Sequence, residues 1–186
     1  PKAESYKAYM ASMTFTAPTN WGILGGSTLS GCVINGFNAA SPSAPGYGPA
    51  DQTSFYAAGT LNTPVTGLKV GVAYDYAGVS KQPITANSSG YANAVGLYAS
   101  YQLTEKLSVY GRGEYAWSGS AAAFGASKVL EGTATLQYDL WKNVLSRLEF
   151  RWDHAADGTT PYGGTVIGAG SKKNSYILLA DIAYKF

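Results

Sequence analysis

The charged residues in the middle and second half of the chain recur at every second position within short extended runs. This spacing places side chains on one face of a β-strand. Charges of both signs on one wall are typical of a water-filled lumen, where they set ion preference. Cross-strand pairs on a solvated sheet would give the same spacing, so that alternative stays open. The candidate pore-lining residues are Lys69, Asp75, Arg112, Glu114, Glu131, Arg147, Glu149, Arg151 and Asp153.

Other residue combinations give little support for catalysis, metal binding or a cofactor. His154 is the only histidine and Cys32 is the only cysteine. Asp153 beside His154 lacks a nucleophile, and one histidine with scattered carboxylates does not make a metal cluster. The glycine-rich stretch 163–170 lacks the strand–helix context of a phosphate-binding loop. We therefore expect a protein that is not an enzyme, with no catalytic residue, metal site or cofactor.

Length and composition narrow the class of protein. The 186 residues predict one domain spanning 1–186. Charged residues make up 13% of the chain, about half the usual share. The net charge of +2 and the lack of a basic run argue against nucleic acid as a partner. No stretch of ~20 apolar residues occurs, so a transmembrane helix is not predicted.

The stretch 174–186 alternates between an apolar face and a mixed face. The apolar face has aromatic residues at both ends and aliphatic residues between them: Tyr176, Leu178, Ala180, Ile182, Tyr184 and Phe186. This order over roughly 10 residues suits a β-strand that crosses a bilayer, although an edge strand of a soluble sandwich would also alternate. The terminal Phe186 resembles the last residue of bacterial outer-membrane barrels. That resemblance implies the barrel assembly machinery as a partner.

Eight earlier runs alternate in the same way, so the period is two throughout and a helical interpretation fails. In the glycine-rich second run we favour Leu29, Gly31 and Val33 facing outward. Short turns and long loops follow one another, as in an all-β, antiparallel up-and-down transmembrane β-barrel with periplasmic turns and extracellular loops. The nine predicted strands are 6–17, 27–37, 53–61, 68–77, 91–103, 107–117, 130–140, 144–153 and 174–186.

Aromatic residues near the ends of these runs predict two girdles at the membrane interfaces. The outer girdle is predicted to contain Tyr76, Tyr91, Tyr115, Trp117 and Trp152. The inner girdle is predicted to contain Tyr101, Tyr138, Trp141, Tyr184 and Phe186.

The odd number of runs predicts a larger assembly. Bacterial single-chain barrels have even strand numbers, so we expect these nine strands to be the C-terminal portion of a larger even-stranded barrel. Taken alone, they should form a curved open sheet or a forced small barrel. An open sheet in lipid leaves edge N–H and C=O groups unpaired, at a cost of several kcal/mol each.

Two segments and the chain end resemble one protein family. The segments are 60–76, TLNTPVTGLKVGVAYDY, and 137–154, QYDLWKNVLSRLEFRWDH, and the end is Tyr-Lys-Phe. They are similar to the OmpL-like β-barrel porins, and the resemblance extends over most of the chain from about residue 6. It implies an outer-membrane porin that passes small hydrophilic solutes, in a family whose members are about twice this length. The shared motifs are structural, so no functional residue is carried over.

Three hypotheses of function therefore stand. The first is a diffusion porin in the bacterial outer membrane, in contact with outer-membrane lipid and with homo-oligomerisation open. The second is a non-conducting barrel that acts as an anchor or adhesin through its extracellular loops. The third is a soluble carbohydrate-binding β-sandwich that uses exposed Tyr and Trp side chains as sugar platforms.

Overall fold

The computed structural model describes residues 7–38, 50–79, 90–119, 126–164 and 170–185. These residues form a single nine-stranded sheet in which every strand pairs antiparallel with its neighbours in sequence order. A 3-10 turn, Gly22–Leu24, lies between the first two strands. No helix in the described ranges is long and apolar enough to cross a membrane. The strands are β1 Tyr9–Thr16, β2 Thr28–Asn38, β3 Ala50–Asn62, β4 Leu68–Val79, β5 Gly90–Gln102, β6 Leu107–Ser118, β7 Lys128–Trp141, β8 Val144–Ala155 and β9 Asn174–Tyr184.

The predicted number, type and order of strands are confirmed, and the bounds differ at some ends. β3 begins at Ala50, inside a stretch that we had predicted to be a loop. β8 continues to Ala155 because Ala155 pairs with Val129 and its N–H donates to the carbonyl of Lys173 at 2.9 Å. The predicted positions of Tyr6 and Phe186, and of loop residues 39–49, 80–89, 120–125 and 165–169, lie outside the described residues.

Cross-strand partners share a face of the sheet, so the register assigns each strand residue to one side. The facing that we favoured for β2 is confirmed, because Leu29 lies opposite Phe15 and Gly59. On the other side of the same strand, Thr28 lies opposite Thr16 and Thr60. The sheet therefore has one apolar face and one face that carries the polar and charged side chains, together with some apolar ones such as Met10 and Ile34 in β1 and β2.

The hairpin between β7 and β8 contains the one register shift found between neighbouring strands in the described part of the chain. Lys142 and Asn143 form the turn, and Asn143 has a positive φ of 68°, a left-handed conformation that Asn adopts more readily than most residues. The register shifts between Asp139 and Trp141, and Trp141 pairs with Val144. We had placed Trp141 in the turn, and this was wrong. The β-bulge keeps it in β7 and moves its side chain onto the apolar face.

Connections at one end of the sheet are short, at residues 63–67, 103–106 and 142–143, as predicted. The connection 17–27 at the same end is longer, and it is held to β3 by Asn62. The Asn62 side-chain amide donates to the carbonyl of Gly25 at 2.6 Å, and the Asn62 backbone N–H donates to the Ser27 hydroxyl at 3.1 Å. These two hydrogen bonds therefore hold the long connection 17–27 against the end of β3.

The described part of the protein has no dry interior. Its buried apolar residues are all alanines, and large apolar side chains are exposed. Met13 is 79% exposed, Ile182 72% and Leu178 70%. A soluble sandwich would cover this face with a second sheet, whereas the described strands form only one. The sandwich hypothesis therefore loses its structural basis, because the apolar face needs a nonpolar surrounding.

The sheet is not closed. Within the described residues β1 pairs with β2 and β9 pairs with β8, and these two strands do not pair with each other. The sheet does curl around its polar face, because side chains from β3 to β8 line one cavity of about 490 Å³. A curved open sheet is one of the two arrangements that we expected for these strands.

Candidate pore wall

The nine predicted pore-lining residues all lie on the polar face. The register arranges them in rows that run across the strands. Lys69 lies opposite Ser100, and Asp75 opposite Ala94. The remaining seven residues belong to β6, β7 and β8, at the positions that the alternation of those strands predicted.

One row consists of three carboxylates on adjacent strands. Glu114 of β6 lies opposite Glu131 of β7, and Glu131 lies opposite Asp153 of β8. Directly opposed side chains in a sheet have Cβ atoms about 5 Å apart, and like charges at that distance are destabilising. We call these three residues the carboxylate row.

The next row places two arginines beside the carboxylates. Arg112 and Arg151 lie opposite Thr133, one from each side. Arg112 Nε donates to Glu131 Oε2 at 2.7 Å. Arg151 donates from Nε to both Asp153 oxygens at 3.1 and 3.0 Å, and from Nη2 to Oδ1 at 2.8 Å. The first pair joins two adjacent strands, whereas the second pair lies within one strand.

These contacts leave two members of the carboxylate row covered and paired. Glu131 is 6% exposed and Asp153 is 7% exposed. The Thr133 hydroxyl also donates to Glu131 Oε1. Glu114, in contrast, makes no ion pair and no hydrogen bond in the described ranges. It lies within the electrostatic field of Arg112 and Arg151.

Farther toward the short connections, charged groups are held by neutral partners. The Thr135 hydroxyl donates to Glu149 Oε2 at 2.8 Å, and Arg147 Nε donates to Gln137 Oε1 at 3.1 Å. Within the described residues Arg147 therefore makes no ion pair, although Asp181 lies opposite it in β9.

The prediction left out polar-face residues that the same alternation could have identified. Asp139 and Asp181 lie on this face, opposite Leu145 and Arg147. Three tyrosines, Tyr56, Tyr98 and Tyr110, also line the cavity. The alternation of each strand had already placed all five residues on this face, and only the list of pore-lining residues omitted them.

The wall formed by β1 and β2 carries no charged side chain on its polar face among the described strand residues. Hydroxyl groups lie there instead, and Thr14 and Ser30 share a hydrogen bond of 2.9 Å between their side-chain oxygens. The polar face is therefore divided into an uncharged sector and a charged sector, which spans β4 to β9.

The predicted girdle aromatics that belong to the described residues lie on the apolar face, near strand ends. Tyr115 and Trp117 stack with ring centroids 5.5 Å apart, and Tyr76 contacts Phe55 at 5.9 Å. Tyr138 and Tyr184 share this face with Leu107 and Val144, their cross-strand partners. Tyr91 and Tyr101 lie opposite Gly78 and Val109.

Polar atoms of several side chains on the apolar face have hydrogen-bond partners. The Tyr74 hydroxyl donates to Asn93 Oδ1 at 2.6 Å. Trp152 Nε1 donates to Asn174 Oδ1 at 2.9 Å, and His154 Nδ1 lies 2.8 Å from the same oxygen. The single histidine thus belongs to an aromatic–amide cluster on the apolar face. The described residues contain no group of three or more side chains able to hold a metal ion.

At the end of the long connections, Asp157 joins two neighbouring segments. Its Oδ1 accepts from the Thr159 hydroxyl at 2.6 Å and the Thr159 N–H at 2.9 Å. Its Oδ2 accepts from the Ser127 N–H at 2.6 Å and the Ser127 hydroxyl at 2.9 Å. The hydrogen bonds from Thr159 and Ser127 hold the pKa of the Asp157 carboxyl well below its ordinary value of 3.8.

The whole of this two-faced sheet falls within one family model. The family described as "Putative beta-barrel porin-2, OmpL-like" matches residues 5–186. The chain belongs to this porin family. Its outer-membrane localisation follows from that membership, and the resemblance that the sequence motifs indicated is confirmed.

A solved structure supports the fold of this porin independently. The NanC porin, in a rhombohedral crystal form, is similar with a TM-score of 0.54 over 96% of this chain and 94% of that chain. The sequence identity is 10%, so the likeness concerns the fold. No curated protein sequence is significantly similar to the chain. Porins are channels rather than enzymes, which agrees with the expectation that the chain is not an enzyme.

Proposed function

We propose that this porin allows passive diffusion of small hydrophilic solutes or ions through a water-filled lumen. The observation that carries the proposal is the division of the sheet into two faces. The nine charged residues that we selected from the strands lie on the concave face, while most of the large aliphatic and aromatic side chains lie on the other. Such a sheet is stable only when its convex face meets lipid and its concave face meets water.

The geometry of the concave face supports an aqueous path in particular. Arg112 and Arg151 are about one-third exposed, and their guanidinium groups cover Glu131 and Asp153. Charged groups at that position require water or ions beside them, because desolvating them without a full set of partners costs several kcal/mol. The cavity of about 490 Å³, which Arg112 borders together with Thr133 and Glu149, has room for such water.

The apolar face supports membrane insertion with the short connections in the periplasm and the long ones outside. Tyr76, Tyr115, Trp117 and Trp152 would form the outer girdle, and Tyr138, Trp141 and Tyr184 the inner girdle. The bulge that moves Trp141 onto the apolar face is consistent with this role, because an indole prefers the interface between lipid and water.

Conductance of the purified protein in planar lipid bilayers tests the proposal. We expect stepwise current increases on insertion, with open-channel conductance that rises with salt concentration. A suitable control is the same protein unfolded by heat before addition, which should give no steps. Protein that inserts into the bilayer and yields no conductance would contradict diffusion and favour the anchor or adhesin hypothesis.

A further inference from the structure

The charged sector of the wall carries more negative than positive side chains. Its cations in the strands are Lys69, Arg112, Arg147 and Arg151. Its carboxylates, apart from Asp139 near the end with short connections, are Asp75, Glu114, Glu131, Glu149, Asp153 and Asp181. The described wall therefore has an excess of two negative charges.

Charges at the end with short connections are a separate group. Asp139 lines a surface cavity there together with Lys106, Lys142 and Lys185. These lysines lie in the turns or beyond the last strand residue. Salt screens charges beyond about 10 Å at 0.1 M, so this group acts on that mouth and not on the middle of the wall.

Half of the cations on the wall are already neutralised. Arg112 is bound to Glu131 at 2.7 Å and Arg151 to Asp153 at 2.8 Å. A close ion pair has little field at a distance, because the two charges cancel. Lys69 and Arg147 are then the remaining cations, against Asp75, Glu114, Glu149 and Asp181.

Among these carboxylates, Glu114 is the one that lies in the carboxylate row. It belongs to the carboxylate row, opposite Glu131 on one side and Gly96 on the other. Arg112, two residues before it on the same face of β6, is held by Glu131. Glu149, in comparison, accepts a hydrogen bond from Thr135. The charge of Glu114 is therefore the least compensated in the row where like charges accumulate.

We infer that the lumen prefers small cations over anions, and that Glu114 contributes most to this preference. The inference rests on the proposed diffusion through the lumen and adds the class of solute. A permeating potassium ion gains a favourable interaction as it passes the carboxylate row. A chloride ion is repelled at the same place, because the adjacent guanidinium groups are engaged with Glu131 and Asp153.

The test is the reversal potential of the full chain in planar bilayers under a tenfold KCl gradient, with at least about 0.1 M KCl on the dilute side so that the lysines at the mouth stay screened. We expect the sign of a cation-preferring pore. Glu114→Gln should lower the permeability of K⁺ by up to about fivefold and raise that of Cl⁻ by a similar factor, the effect of one unit charge near contact distance in water, so the permeability ratio of K⁺ to Cl⁻ should fall. Glu114→Asp keeps the charge and should retain the preference. Glu105→Gln makes the same chemical change in the exposed turn 103–106, and should leave the ratio unchanged.

A variant of opposite sign completes the test. Arg147→Gln removes a cation that forms no ion pair within the described residues, so it should raise the K⁺ to Cl⁻ ratio. An anion-preferring native pore, or an unchanged ratio in conducting Glu114→Gln channels, would overturn the inference and leave diffusion standing. A native protein that inserts without any conductance would overturn both. Resistance to unfolding in detergent at room temperature shows whether each variant has folded.

Discussion

The ion pair between Arg112 and Glu131 makes an asymmetric prediction for stability. The carboxylate end is covered, with 4% of its side chain exposed, whereas 35% of the arginine side chain is exposed. Removing the arginine leaves a buried carboxylate next to two others in the carboxylate row. Removing the carboxylate leaves a guanidinium that water in the lumen can solvate. Arg112→Gln should therefore destabilise the protein more than Glu131→Gln.

The structure gives an approximate size for both effects. Removing one partner of a fully buried pair costs about 3–5 kcal/mol, and the exposure of Arg112 reduces this to about 2–3 kcal/mol. Glu131→Gln loses a charged hydrogen bond of about 1.5–3 kcal/mol. It also relieves two like-charge contacts of up to about 1 kcal/mol each. A net cost of about 1 kcal/mol or less remains for Glu131→Gln.

Equilibrium unfolding by urea in lipid vesicles measures these differences through the fluorescence of the four tryptophans. The double variant Arg112→Gln with Glu131→Gln should cost about as much as Glu131→Gln alone, because the arginine has no role once the carboxylate is gone. The coupling between the two sites should then equal the cost of Arg112→Gln alone, about 2–3 kcal/mol. Glu131→Gln that costs as much as Arg112→Gln, or single costs that simply add, would refute the burial argument.

Three other predictions follow from the same structure. Changing Arg147 and Arg151 together to Glu should shift reversal potentials further toward cations in planar bilayers, and unchanged potentials would count against their lining the pore. Leu178→Arg should destabilise the inserted protein by about 2–4 kcal/mol, because Leu178 lies on the apolar face in the middle of β9. The matched variant Ile177→Arg on the polar face should cost much less free energy in the same unfolding assay. The lowered pKa of Asp157 means that its hydrogen bonds stabilise the protein above pH 4 and are lost as the pH falls through the folded-state pKa; Asp157→Asn should abolish this acid dependence in amide hydrogen exchange at Ser127 and Thr159.

The alternation of side chains was sufficient to predict the strands and their faces. In runs such as Leu68 to Tyr76, a large apolar residue recurs at every second position. A shift in register by one residue would move all of these side chains to the polar face. Even the glycine-rich β2 was assigned correctly, because Leu29 and Val33 are in phase. The same parity placed all nine candidate pore-lining residues on one wall.

Features that depend on the neighbouring strand were not accessible from alternation alone. The bulge beside Trp141 is a shift in the pairing register between β7 and β8, so the sequence of β7 alone does not predict it. The partner of Arg151 proved to be Asp153 of the same strand, since two residues apart is also a distance that an arginine can span. These contacts determine which carboxylate is left without an ion pair, and they cannot be derived from the sequence alone.

The carboxylate row is the place where this chain departs from what stability alone would favour. Glu114, Glu131 and Asp153 lie directly opposite one another, an arrangement that costs free energy in any sheet. Arg112 and Arg151 offset two of the three charges and leave the third. A wall that only had to face water could have used threonines, as β1 and β2 do. Local rules of stability are broken mainly at functional sites, so the residual charge is itself an argument that this row acts on what passes through the lumen.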